Sequence, residues 1–261
     1  MKQKILPSLP QDNVRMIILG SSESGKTTLL MSILLSKNGY YRHFKQIFVV
    51  CPTIFDKSPK NTFNKIKWLS ANIRTEYDES FIDDCMRRSS VLFDKTGQRS
   101  LLILDDVTDA EGLRKGGGHK SILGSVFYRG SHSHLSCIVL LHELKAVDPL
   151  VRKQINSIIC FYYGDNQEQK NLYELSGVPI TFQQFKQIYL TSTGYNQDDT
   201  HKYDFININT KSKSPKTTIY HNWKAIDLTE FVYNDKLKQS NTLIDKQEVQ
   251  PEEKDKDKGF D

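Results

Sequence analysis

Gly20-Ser21-Ser22-Glu23-Ser24-Gly25-Lys26-Thr27 satisfies the pattern GxxxxGK[ST] at each fixed position, and its surroundings matter as much as its letters. The apolar run 14–19 leads into it, and a segment of helical spacing from Lys26 leads out, stopping at Asn38-Gly39. A glycine-rich turn between a buried strand and a helix start presents backbone N–H groups and the positive end of the helix dipole to an anion. Lys26 adds a point charge for the β- and γ-phosphates, and the Thr27 hydroxyl suits Mg²⁺. The expected nucleotide-contacting set is Gly20, Ser21, Ser22, Glu23, Ser24, Gly25, Lys26, Thr27 and Thr28. Glu23, an acid in an anion-binding loop, is expected to face solvent or a neighbouring subunit.

Outward from this loop, apolar runs of strand length recur at 46–51, 101–104, 137–141 and 155–161. Their unbroken apolar character suits strands buried on both faces. Helical spacing fills 78–93 and 121–128, and 166–190 also reads as helical, with Leu172, Leu175, Phe182 and Phe185 as its apolar positions. This alternation predicts an α/β fold with a central, mostly parallel sheet flanked by helices. Residues 203–209 and 217–223 read as late strands at an antiparallel edge. The expected division is an N-terminal extension over 1–13, one nucleotide-binding domain over 14–234, and a tail over 235–261. That tail holds eight acids and six lysines among few apolar residues, so it is expected to stay disordered.

The second chemical signal is Ser100-Leu101-Leu102-Ile103-Leu104-Asp105-Asp106, a strand ending in two acids. Asp105 at the strand end is the expected Mg²⁺ partner, and Asp106, pointing elsewhere, the group that polarises the attacking water. A second acid favours hydrolysis over phosphoryl transfer to a metabolite. One strand, 46–51, lies between the loop strand and the acidic strand in sequence. That order fits the additional-strand division of P-loop NTPases, in which a later strand inserts between those two. Residues 137–141 are the expected insert, which makes His142 at its end the expected sensor of the γ-phosphate.

Composition narrows the rest. The chain has 261 residues, 38% hydrophobic and 26% charged, with a mean hydropathy of −0.52. No stretch of eighteen apolar residues occurs, which argues against a membrane span, and the N-terminus lacks the apolar core of a secretory signal. An intracellular, soluble protein is expected. The net charge of +5 becomes a surplus of seven positive charges on residues 1–234 once the tail is set aside, compatible with a nucleic-acid partner. Cys51, Cys85, Cys137 and Cys160 show no CxxC or Cys/His pairing, so neither a disulfide nor zinc is expected.

With these residues in hand, the chain resembles the genome-packaging ATPases of the FtsK/HerA superfamily, the poxvirus-type group of large DNA viruses, virophages and Polinton-like elements. GSSESGKT and the acid pair carry the resemblance. It is supported by the segment from Tyr128 to Ser136 leading into the fourth strand, and by the one from Asp148 to Asn156 after it. The resemblance implies an ATP-driven motor, a homo-oligomeric ring moving double-stranded DNA into a capsid, with capsid or portal proteins as partners. It implies an arginine reaching the γ-phosphate bound by a neighbouring subunit, for which Arg129 and Arg152 are the candidates. The family commonly has glutamine where this chain has His142. The loop 114–120, Arg-Lys-Gly-Gly-Gly-His-Lys, is either a DNA-contacting loop or an ordinary surface loop. Two other functions fit the nucleotide signals: a nucleotide-dependent switch or scaffold, and a metabolite kinase. The kinase would want an arginine-rich lid, yet Arg114 is the only arginine from 100 to 128.

Overall fold

The apolar runs form the middle of one sheet. In the computed structural model, which describes residues 5–52, 70–76, 78–106, 122–194 and 201–229, six strands run parallel. They are β1 (Arg15–Leu19), β2 (Gln46–Val50), β3 (Ser70–Arg74), β4 (Ser100–Asp105), β5 (Leu135–Leu141) and β6 (Ser157–Phe161). Three antiparallel strands follow at one edge: β7 (Phe205–Ile208), β8 (Ile219–His221) and β9 (Lys224–Ala225). Among the described residues the order is β3-β2-β4-β5-β1-β6-β7-β8-β9. The later strand β5 therefore inserts between the loop strand and the acidic strand, as the chain order predicts, with Leu19 opposite Leu141 and Asp105 opposite Leu140.

Alternate residues of each central strand face opposite layers, which the two-residue period of a strand requires. Ile17, Leu19, Phe48, Val50, Leu102 and Leu104 pack in one cluster. That layer holds α2 (Glu79–Thr96), α5 (Asn166–Ser176) and α6 (Phe182–Ser192). Met16, Ile18, Ile47, Val49, Leu101 and Ile103 pack on the other side with α1 (Lys26–Leu35). Residues ahead of β1 belong to that second layer: Ile5 and Leu9 are buried in it, and the Tyr40 hydroxyl donates to the Pro10 carbonyl at 2.7 Å. The short helices α3 (Ile122–Arg129) and α4 (Pro149–Arg152) precede β5 and β6.

Two features depart from the sequence reading. The segment 166–190 is two helices, not one. Gly177 closes α5 in the left-handed region at φ 61°, Pro179 follows, and Thr181 opens α6 with a capping box to Gln184, so two stop signals and a start signal interrupt the apolar period. Strand β3 has no apolar run, since an edge strand tolerates polar residues. All four cysteines are buried thiols. No described helix is long and apolar enough to cross a membrane. The expected tail 235–261 and the loop 114–120 lie outside the described residues.

Candidate nucleotide-binding site

The loop between β1 and α1 is shaped by its backbone. Glu23 and Gly25 both take positive φ, 60° and 95°, and Gly25 stands at the helix start, where a side chain would be strained. The Glu23 side chain is exposed, in keeping with the expectation for it. No side chain caps α1, and its first turn holds no acid, so the orphan amides of that turn are left to an outside acceptor. The Ser24 hydroxyl is buried and has no hydrogen-bond partner among the described residues. Lys26 Nζ donates to the carbonyls of Gly20 and Ser21, each at 2.8 Å. Burial lowers its pKa, while Asp105 and Asp106 raise it.

The acid pair sits beside this loop because β5 fills the gap between β4 and β1. Asp105 is 5% exposed, and its Oδ2 accepts from Thr27 Oγ1 at 3.3 Å. Burial pushes its carboxyl up to about 6, with the Thr27 hydroxyl opposing and Asp106 adding to the shift. The Cys51 thiol, just past the end of β2, lies 4.0 Å from the same oxygen. Asp106 turns away in the left-handed region, φ 55°, so the adjacent acids point differently. Its Oδ1 is 3.4 Å from His142 Nε2. The inserted strand also holds the loop, since the Gly20 N–H donates to the Leu141 carbonyl at 3.2 Å. Immediately after His142, the buried Glu168 accepts from the amides of Leu144 and Lys145 at 2.9 and 3.3 Å, fixing the turn that follows.

Lys26, Thr27, Asp105, Asp106 and His142 are thus brought to one edge of the sheet, the carboxyl ends of the parallel strands. Neither arginine is bonded to this group. Arg129 closes α3, and the next residue, Gly130, accepts from the N–H of Leu135, the first residue of β5. It stands at the far end of that strand from His142, roughly 20 Å away at the usual rise per residue. Its guanidinium lies 3.4 Å from Asp83 in an exposed pair. Arg152 donates through Nε to the Val147 carbonyl at 2.8 Å. Burial lowers its pKa, opposed by Glu168 and Asp148. Among the described residues, neither is hydrogen-bonded or ion-paired to the acids or to Lys26. The sequence reading missed Cys51, whose signal was its place at the end of the strand next to β4. It also missed the aromatic side of the loop, where Phe161, Tyr203 and Phe205 line a cleft of about 760 Å³ together with residues 23–29.

Comparison with known proteins follows the same lines. Residues 2–179 match the family described as Poxvirus A32 protein. Uncharacterized protein 088R of Invertebrate iridescent virus 3 is 27% identical over 180 residues, covering 68% of this chain and 65% of that protein. Uncharacterized protein 075L of Invertebrate iridescent virus 6 is 24% identical over 183 residues, covering 69% and 67%. The matched region thus spans about two thirds of the length of these relatives. Among solved structures, the genome packaging NTPase B204 of Sulfolobus turreted icosahedral virus 2 in complex with AMP superposes with a TM-score of 0.57. It is 15% identical, and the match covers 81% of this chain and 97% of that one. The same protein with ATP-gammaS gives 0.53. That likeness is one of fold. Because the family match takes in more than half of the chain, and with it every residue gathered at the carboxyl edge from Gly20 to His142, the chain belongs to the Poxvirus A32 protein family.

Proposed function

We infer that the chain is a viral genome-packaging ATPase that spends ATP hydrolysis on moving double-stranded DNA into a capsid. One observation carries this: the insertion of β5 sets a phosphate loop, two differently directed acids and a polar strand-end residue around one point. A nucleotide switch needs the loop but no second acid. The family match and the B204 complexes with AMP and ATP-gammaS support ATP as the nucleotide and packaging as the task. The unit that does this is the expected domain over 14–234 together with the residues ahead of β1, since Ile5 and Leu9 are buried in its core and are no separate extension; its place of action is the host-cell site of virion assembly, with capsid or portal proteins as partners.

The residues divide the chemistry. The Thr27 hydroxyl and the Asp105 carboxylate, 3.3 Å apart, are hard oxygen donors of the kind Mg²⁺ takes, so the site fits that ion. When bound, Mg²⁺ supplies positive charge opposite the β- and γ-phosphate oxygens. Lys26 exchanges its two loop carbonyls for phosphate oxygens, and the amides at the start of α1 donate to the remaining phosphate oxygens. Asp106 orients and polarises the attacking water. His142, held by Asp106, donates a hydrogen bond to the terminal phosphate. Arg129 or Arg152 supplies transition-state charge from the next subunit of a homo-oligomeric ring. ATP hydrolysis by the purified chain should rise when double-stranded DNA is added. Turnover that DNA leaves unchanged would overturn the translocase reading.

A further inference from the structure

The cleft at the phosphate loop has two sides of different chemistry. Asp105, Asp106 and His142 stand on the side of β4 and β5, whereas Phe161, Tyr203 and Phe205 stand on the side of β6 and β7. The antiparallel register sets Phe161 opposite Phe205, so both rings come to the edge that holds the loop. They meet edge to face with centroids 5.7 Å apart, and Trp223 packs against Phe205 at 5.0 Å. These two phenylalanines are buried, but Tyr203 is 57% exposed. Its ring is held against the loop: a Cβ on Gly25 would meet Tyr203 Cδ1 at 3.2 Å and Phe161 Cε1 at 3.9 Å. The Lys202 ammonium lies 5.7 Å from the ring centroid, on a side chain that can move aside, and an aromatic ring this exposed beside an anion-binding loop offers a flat apolar face with a polar rim.

Direction follows from the strand order. A nucleoside triphosphate whose terminal phosphate lies toward the acids extends across the loop the opposite way, toward β6 and β7. We propose that Tyr203, backed by Phe161 and Phe205, is the platform on which the nucleobase stacks, and that it favours purine over pyrimidine nucleotides through the larger ring area stacked. This rests on the phosphate-loop reading above and adds to it the residue that recognises the base.

The test measures equilibrium binding of ATP, CTP and inorganic tripolyphosphate to the full chain and to Tyr203→Ala, Tyr203→Phe and Lys26→Ala. Tyr203→Ala should weaken ATP about tenfold, narrow its advantage over CTP, and leave tripolyphosphate, which has no base, unchanged. Tyr203→Phe keeps the ring and should bind ATP like the parent. Lys26→Ala should weaken ATP and tripolyphosphate alike. A Tyr203→Ala protein with undiminished ATP affinity, or with an equal loss for tripolyphosphate, overturns the platform. A parent chain that binds CTP as tightly as ATP overturns the selectivity. If Lys26→Ala bound all three like the parent, the phosphate-loop reading would fall instead, so the two failures stay distinct.

Discussion

Arg15 and Lys26 flank β1 at opposite ends, and the fold treats the two cations differently. Arg15 is 4% exposed. Its guanidinium donates to the carbonyls of Phe127, Val14 and Leu135 at 3.1 to 3.3 Å. Asn156 at the same edge is similarly committed, accepting from the Arg15 N–H and donating to the Asn13 carbonyl, each at 2.9 Å. At the other edge, among the described residues, Lys26 reaches only carbonyls of its own loop and the Ser24 hydroxyl has no partner, while Asp105 is held with its carboxyl far above the ordinary range. Polar groups consumed by the fold stabilise it. Those held buried with little to bind are set up for something the chain does not itself supply.

Exchanging charge for alkyl at the two ends separates these roles, and the largest effect belongs to the carboxyl edge. Lys26→Ala should lower ATP hydrolysis by at least about 10³-fold, since it removes the charge facing the transferred phosphate. Its unfolding free energy should change by no more than about 1 kcal/mol. Steady-state hydrolysis measured on folded protein checks this, and parental turnover would sink the nucleotide assignment. Arg15→Leu should do the converse. The buried carbonyls of Phe127 and Leu135 each lose a donor, while that of Val14 keeps the Cys137 N–H, and the loss should cost about 3 kcal/mol of stability in denaturant melts. Hydrolysis per folded molecule should stay within about twofold of the parent. Lost activity without lost stability would break the contrast between the edges.

The same contrast explains what was legible in the sequence. The loop, the acid pair and the inserted strand could be read because each couples a local pattern to a chemical demand, and strands buried on both faces spell themselves as apolar runs. Strand β3 could not be read, because its residues are set by pairing with β2 and not by a buried face. The break at Gly177 was written in plain stop signals, but Leu172, Leu175, Phe182 and Phe185 suggested one continuous apolar face. Tyr203 was hidden for another reason. Residues 203–209 could be read as an edge strand, but Tyr203 comes beside Gly25 only through the pairing of β7 with β6, a long-range partnership that no local pattern names. Arg15 lay inside an apolar run, and nothing in the letters shows that three carbonyls await it.

A smaller effect sharpens the comparison within the carboxyl edge. Asp105 titrates at about 6 in the folded chain against an ordinary value of 3.8, so between those values the folded chain binds more protons than the unfolded one. Stability is therefore gained as pH falls through about 6 and lost as it rises, the reverse of a salt-bridged carboxylate. Asp105→Asn cannot ionise and keeps an acceptor for Thr27. Without nucleotide or Mg²⁺ it should be more stable than the parent by roughly 2 kcal/mol near pH 7.5. The difference should vanish near about pH 3.5, while the Mg²⁺ dependence of nucleotide binding weakens. Equal stability of the two proteins across this range would show that Asp105 is not held at a cost.

The smallest stability effect belongs to Arg129, which shares the amino edge with Arg15 but not its burial. Its pair with Asp83 is exposed on both sides, 61% and 59%, so Arg129→Ala should cost no more than about 0.5 kcal/mol. An arginine so loosely tied to its own chain is free to serve another, and the strand length between it and His142 prevents it from serving its own site. Arg152, tied to the Val147 carbonyl, is the alternative. If either acts across a subunit boundary, the corresponding alanine variant should bind ATP and hydrolyse it poorly, and mixing it with Lys26→Ala should restore turnover. In an equimolar mixture an intact loop occurs in half of the subunits and an intact arginine next to it in half of those cases. Recovery should therefore approach about a quarter of parental activity in a ring of heterologous interfaces. Full activity of both arginine variants, with turnover independent of protein concentration in a strictly monomeric sample, would rule out the shared site.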